Sequence, residues 1–258
     1  MNIGSSDFEK TEEEVIKKTK EAFEMFYSIY WSGLKTLKKA IKLLIEENIK
    51  SENKYVTALL LLINRSIQHL ESMRLLTERG LYGDAFVLSR SLMSNVAMAQ
   101  YLKYKPELVE DFLKESKDDY QDKKSGFSEK FSETAIHKVL TDNGVQRFKD
   151  SFQVLSKTAH ASAFGAQLYG SRGPKGQQYH FKYGPGYETE KALAIISIIS
   201  AGHYDLLDNI LVYRCQQDST PEWLEILTKE RQLRIRVDIF STAAMTTVET
   251  FKKMRKAE

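Results

Sequence analysis

The residues best suited to chemistry in this chain fall in two short clusters and one long glycine-rich stretch. Ser156-Lys157-Thr158-Ala159-His160-Ala161-Ser162, if helical, sets Ser156, Lys157 and His160 along one side, because three- and four-residue steps share a helix face. A histidine beside a lysine, at a helix end that opens into a loop, is placed for proton transfer or phosphate binding. The plainer reading is a histidine covering the last carbonyls of its helix. Arg90 lies in Ala85-Phe86-Val87-Leu88-Ser89-Arg90-Ser91-Leu92-Met93, a run that otherwise wants burial. A buried guanidinium is costly unless paired or bound to an anion. Its helical neighbours Phe86, Val87, Met93 and Ser94 include no acid. Its partner therefore comes from elsewhere in the fold, as a distant carboxylate or backbone carbonyls, or is a ligand.

The long stretch is Ser151 to Tyr187, 37 residues without an Asp or Glu, where the chain's 35 acids in 258 residues would place about five. It holds six of the 13 glycines, the cations Lys157, Arg172, Lys175 and Lys182, and aromatics including Phe164, Tyr169, Tyr179, Phe181, Tyr183 and Tyr187. A basic, aromatic, glycine-rich loop suits phosphate or nucleic acid. Arg172, Lys175, Lys182, Tyr169 and Tyr183 are its candidate binding residues; His160, Arg90 and Lys157 are the catalytic candidates. The three would line one concave pocket roofed by the loop from Gly165 to Gly186. The alternative is a surface loop with no ligand.

The remaining histidines are weaker. His69 follows Arg65 by four residues, and His203 precedes Asp205 and Asp208 on an apolar helix; both fit hydrogen-bonded interior or groove residues. A metal held by His160, His203 and an acid is not required by any spacing, and no metal or cofactor is expected. Cys215 is the single cysteine, so no intramolecular disulfide forms and no Cys/His zinc spacing exists. Nucleophile-elbow, Walker and dinucleotide glycine signatures are absent.

These residues must be positioned by helices. Apolar residues from Phe8 to Ile45 recur at three- and four-residue steps and predict one helix over about 7–48, which Gly33 could bend. Such a rod would be about 60 Å long, more than a small domain covers, so part of it is expected to meet another copy. A second helix runs from near Asn53 to a left-handed cap at Gly80, with the apolar run Ala58–Ile63 placing it centrally. A third spans 81–104, capped by Asp84 and ended by Pro106, which opens a short charged helix. A weaker helical signal follows around 132–140, and a helix is predicted from Val145 to about His160. Alternation over 177–183 predicts a small hairpin closed near Gly173–Gly176. Apolar helix resumes over 188–216, and Pro221 opens the last helical region. The whole reads as an all-α, single helical domain, 1–258, of six to eight helices, with a long N-terminal helix and a glycine-rich loop or small hairpin near 165–187.

With 42% hydrophobic and 28% charged residues the chain can bury a core. A net charge of +3 marks no partner by itself. The polar first 20 residues and short apolar runs predict a cytoplasmic protein without a membrane segment.

The segment from Leu75 to Leu92, with Gly80-x-x-x-x-Ala85 turning into the Arg90 helix, and the later Ser156-Lys157-x-x-His160 element resemble a widespread bacterial helical family of unknown function. The likeness covers about 53–213. Family members usually carry a glutamate near the position of Ser94. A looser likeness is to HEPN helical proteins, many of them ribonucleases in toxin or phage-defence systems. Those have a histidine after four to six intervening residues; here Arg90 is followed by Asn95, and Arg65 reaches His69 after only three, so neither meets the pattern. The resemblance implies a nucleic-acid- or nucleotide-directed protein of a stress or defence system. Three readings stand: a metal-independent RNase using His160, Arg90 and Lys157; a non-catalytic helical homo-oligomer acting as sensor or adaptor, its partner encoded by a neighbouring gene; and a metal-dependent hydrolase.

Overall fold

The computed structural model describes residues 5–118, 127–145, 170–172, 179–181, 186–214 and 220–257. Among these are eight helices of ten or more residues: α1 (Ser5–Ala22), α2 (Glu24–Ser51), α3 (Lys54–Glu78), α4 (Tyr82–Tyr104), α5 (Val109–Asp118), α7 (Glu133–Asp142), α8 (Thr189–Arg214) and α9 (Pro221–Ala257). A single turn, α6 (Phe127–Lys130), and a 3-10 turn at Pro106–Leu108 join the smaller ones. Two three-residue strands, β1 (Gly170–Arg172) and β2 (Tyr179–Phe181), pair antiparallel, with Ser171 opposite His180 and Arg172 opposite Tyr179. The all-α expectation and the small hairpin are both met. The stretch expected as helix from Val145 to His160 lies outside the described residues beyond Val145.

The first expected helix is two. Phe23 leaves helical geometry (φ −125°, ψ 34°), and the chain turns there rather than at Gly33. The turn lets α1 lie on α3, where the Glu12 carboxylate meets the Arg79 guanidinium at 2.9 Å. Val15, Thr19, Phe23, Phe26 and Tyr30 are all buried. That apolar stripe runs unbroken through the turn, so periodicity sees a single helix. The 60 Å rod does not form.

Helix α3 begins where Asn53 accepts a hydrogen bond from the Val56 backbone N–H at 3.2 Å. It ends at Gly80 (φ +73°), with Leu81 N–H donating to Leu76 O and Gly80 N–H to Thr77 O, the paired bonds of a left-handed cap. Leu81, not Asp84, occupies the N-cap of α4; Asp84 lies in its first turn, at the positive end of the helix dipole. α3 and α4 form the main antiparallel pair. α8 runs parallel to α4 and is enclosed by α2, α3, α4 and α9. Ala58, Leu59, Ile63, Leu92, Val96, Ala97, Ile195, Ile196 and Ile199 are essentially sealed, so the three helices expected at the centre are there; Leu61 alone of the Ala58–Ile63 run faces outward. By length and composition α8 could cross a membrane, but 67% of its most apolar window is buried within the bundle.

Helix α7 ends in the same cap as α3, at Gly144 (φ +81°), with Val145 N–H on Leu140 O and Gly144 N–H on Thr141 O. The two caps differ in surroundings. A Cβ on Gly80 would stand 2.4 Å from the Gly186 carbonyl oxygen, whereas one on Gly144 would meet nothing within 4 Å. Gly144→Ala is therefore expected to cost only the positive-φ strain, about 1 kcal/mol. Gly80→Ala adds a backbone collision and is expected to cost about 2–3 kcal/mol. Urea unfolding of both variants checks this, and equal losses would show that the Gly80–Gly186 contact yields freely.

Candidate functional site

Arg90 is half-buried on α4, and its guanidinium pairs with the Glu133 carboxylate from the first turn of α7. Its partner is thus a distant acid, supplied by the segment with one of the weakest helical signals. Lys157, His160, Lys175, Lys182, Tyr169 and Tyr183 lie outside the described residues. Arg172 is described in its backbone only, at the end of β1. The expected meeting of Arg90 with Lys157 and His160 therefore also lies outside them.

His203 is fully buried. Its Nδ1 lies 3.1 Å from the Ile199 carbonyl, its ring meets Tyr30 edge-on at 5.0 Å, and Gly33 passes close enough that a Cβ there would be 3.2 Å away. Gly33 is thus a packing residue. Burial pushes the His203 imidazole down to about 4, opposed by its bond to Ile199 and by the Glu71 carboxylate. Tyr30 donates its hydroxyl to Glu71, which also pairs with Arg74; Arg74 reaches Glu78 and stacks on Tyr30 and Trp31. Desolvation and the hydrogen bond to Glu71 hold the Tyr30 phenol well above its ordinary range. His69 is half-buried and pushed down by desolvation and by the Arg65 cation. Among the described residues no group of three or more His, Cys, Asp or Glu side chains could hold a metal.

A second arrangement has the form of a binding site. A cleft of about 480 Å³ opens between the last turns of α4 and the C-terminal turns of α8, beside Gly144 and Val145. α4 contributes Gln100, Lys103 and Tyr104; α8 contributes Asp208, Asn209 and Val212. Volumes of roughly 300–1,000 Å³ are those of small-molecule sites. Gln100 is only 9% exposed, and its Oε1 is buried without a hydrogen-bond donor. Leaving such an acceptor unmatched costs about 1–3 kcal/mol. Asn209 donates to the Val96 carbonyl at 3.5 Å, and the Lys103 ammonium lies 5.6 Å over the Tyr104 ring. Asp208 is half-buried and helps push up the carboxyl of Glu230, whose own burial contributes most. Lys103 and Asp208 give the cleft both signs of charge. Its mouth at Val145 stands just before the acid-free stretch begins in sequence.

These residues were missed by the sequence reading, although the signal was the one used for Arg90. Gln100 interrupts Ala97-Met98-Ala99-Gln100-Tyr101-Leu102, and Asp208-Asn209 interrupts Leu206-Leu207-Asp208-Asn209-Ile210-Leu211.

Residues 56–182 match the model of a family of unknown function, DUF5677. The resemblance to a helical family of unknown function thus holds over α3, α4 and the segments through β2. The match takes in the α4 wall of the cleft and the Gly144 cap but not the α8 wall. No curated protein and no solved structure matches the chain.

Two outcomes are expected. Because His203 is neutral in the fold down to about pH 4 but protonates near 6.5 when unfolded, the unfolded chain binds the extra proton between those values. The stability it contributes is whole above pH 6.5 and is lost as pH falls through 4, by about 3 kcal/mol. Urea titrations should show the wild type losing that much more than His203→Met between pH 7 and 4; parallel losses would contradict it. Gln100→Leu removes an unmatched acceptor at similar volume, so it should raise stability by about 1 kcal/mol, read as a higher Tm.

Proposed function

We propose that the chain is a nucleotide- or nucleic-acid-directed helical module of a bacterial stress or defence system that works by binding rather than by cleavage. The observation that carries this reading is the cleft of about 480 Å³ lined by Lys103, Tyr104, Asp208 and Asn209. Lys103 and Tyr104 supply a cation and an aromatic face, the two elements of nucleotide binding. The acid-free stretch that follows in sequence adds cations able to track a phosphate backbone. Arg90, the catalytic candidate among the described residues, is neutralised by Glu133, which favours binding over cleavage.

The same proposal includes a homo-oligomer. Met25, Leu224, Ile235 and Ile239 are exposed apolar residues on α2 and α9, where Arg236 donates to Ser28 at 2.8 Å.

The test is incubation of the full chain with bulk RNA, with and without EDTA, alongside equilibrium binding of RNA and mononucleotides at two salt concentrations. Binding without cleavage is expected, and RNA affinity should fall roughly twentyfold between 50 and 200 mM salt if about three phosphates are neutralised. Cleavage that survives EDTA and disappears in His160→Ala would replace this reading with a metal-independent RNase. Cleavage lost on chelation would indicate a metal-dependent hydrolase, and binding of neither RNA nor mononucleotide would end the proposal.

A further inference from the structure

Helices α2 and α9 lie side by side over α8, and two contacts fix how they are aligned. The Lys39 ammonium pairs with the Glu225 carboxylate, and Arg236 donates to Ser28 at 2.8 Å. The helices are therefore antiparallel. The same number of residues separates the two contacts on each helix, so Met25 stands level with Ile239.

Each helix gives one face to the core. On α9 the buried Trp223, Ile226, Leu233 and Val237 share that face. At 3.6 residues per turn, Leu224, Ile235 and Ile239 share the opposite one, where they are 52%, 59% and 60% exposed. Met25 on α2, 59% exposed, joins them from the groove between the two helices. Single exposed apolar residues are ordinary on a protein surface, but these four form one patch on a two-helix layer.

Four charged side chains frame the patch. Arg231 and Asp238 lie two turns apart on the flank of α9 that faces away from α2, and Glu24 and Lys35 lie on the outer face of α2. All four are exposed, and none makes an ion pair among the described residues. Neighbouring charges are engaged: Arg234 stacks over the Tyr204 ring, and Lys39 holds Glu225.

The free charges are complementary to themselves. When two copies of a helix meet antiparallel about a two-fold axis, each flank faces the same flank of the other copy, at positions reflected about the axis. An axis crossing α9 between Arg234 and Ile235 sets Arg231 of each copy level with Asp238 of the other and brings Ile235 against itself. The alignment of α2 with α9 leaves no further freedom. The same axis crosses α2 between Ile29 and Tyr30, which brings Lys35 level with the other copy's Glu24. One operation thus matches two unrelated pairs of opposite charge. Sliding the copies by two turns would set Arg231 against itself or Asp238 against itself, and like charges at an interface are costly.

We infer that the outer faces of α2 and α9 bind a second copy of this chain, antiparallel about that axis, with Ile235 at the centre and Arg231–Asp238 and Lys35–Glu24 pairs between the copies. This rests on the homo-oligomer part of the proposed function and names its surface and symmetry. The two copies of α9 overlap over 221–248, about 42 Å, and those of α2 over Glu24–Lys35, about 17 Å; at about 10 Å per helix the outline is roughly 600 Å². That is of the order of the roughly 800 Å² of accessible surface that each partner buries in a standard interface.

The experiment is light scattering on the full chain over a micromolar concentration series, with chemical cross-linking beside it. The expected mass is twice the 29.7 kDa of the chain. Arg231→Glu and Asp238→Arg each set like charges level and should weaken the dimer about tenfold or more. The double variant exchanges the charges and should return to within about threefold of the wild type. Ile235→Glu places two carboxylates on the axis and should give monomers that keep their helical circular dichroism. In a Cys215→Ser background, a short bis-maleimide should link Ile235→Cys into dimers and leave Leu61→Cys, exposed on α3, unlinked. Every substituted interface residue is exposed, so the fold does not depend on it. A wild-type chain that stays at 29.7 kDa overturns the homo-oligomer reading together with this inference. An oligomer that Ile235→Glu leaves intact, or that links through Leu61→Cys and not Ile235→Cys, keeps that reading and overturns this surface. Single reversals that weaken the dimer without recovery in the double variant overturn the antiparallel register.

Discussion

Helix α8 is buried on nearly every side, and that fixes what the rest of the bundle must supply. A helix enclosed by α2, α3, α4 and α9 cannot send its polar side chains to water. Each must be matched inside, at a cost of about 1–3 kcal/mol for any that is not. Ser200 returns its hydroxyl proton to the Ile196 carbonyl, His203 engages Ile199, and Asn209 reaches Val96 on α4. Close approach at Gly33 makes room for the His203 ring, and Tyr30 covers it from the edge. The matching is incomplete: His203 Nε2, Asn95 Nδ2 and Gln100 Oε1 are buried without a partner. Near the C-terminal end of α4 a cleft lined by Gln100, Asp208, Asn209 and Val212 remains between α4 and α8.

Several arginines of the bundle are committed to acids. Arg74 lies between Glu71 and Glu78 under two aromatic rings, Arg79 meets Glu12, Arg90 meets Glu133, and Arg214 meets Glu47. Pairs as exposed as Arg90–Glu133 contribute less than about 1 kcal/mol to stability. Their effect is to fix which helix lies where and to cancel local charge. Positive potential available to an anion must then come from less committed groups. Lys103 at the cleft is one. The proposed reading therefore needs no net positive charge, only charge that is distributed unevenly.

The family match divides the molecule in an informative way. It covers α3 and α4, the short helices packed on them and the paired strands, but neither α2 nor α8 nor α9. α3 and α4 cannot bury their apolar faces by themselves, and much of what covers them in this chain comes from outside the matched stretch. The proposed ligand cleft lies on that boundary, one wall inside it and one wall beyond.

Sequence alone determined the helices whose apolar pattern and end signals agree. Asn53 opens α3 and Gly80 closes it because an Asn side chain can accept from the first turn and glycine adopts positive φ freely. Pro106 ends α4, and alternation around the glycine-rich stretch placed the paired strands. Periodicity also placed α3, α4 and α8 at the centre. It could not detect the turn at Phe23, because the apolar stripe from Val15 to Tyr30 continues through it. The partner of Arg90 was equally out of reach: Glu133 lies 43 positions away, and no local rule ties an arginine to an acid at that separation. The cleft was visible only in part, since Gln100 and Asp208 each read as a polar residue on an apolar helix. Whether such a residue is matched, exposed or left facing a cavity depends on which helix packs opposite. That is decided by long-range packing, which brings α4 and α8 side by side from distant parts of the chain.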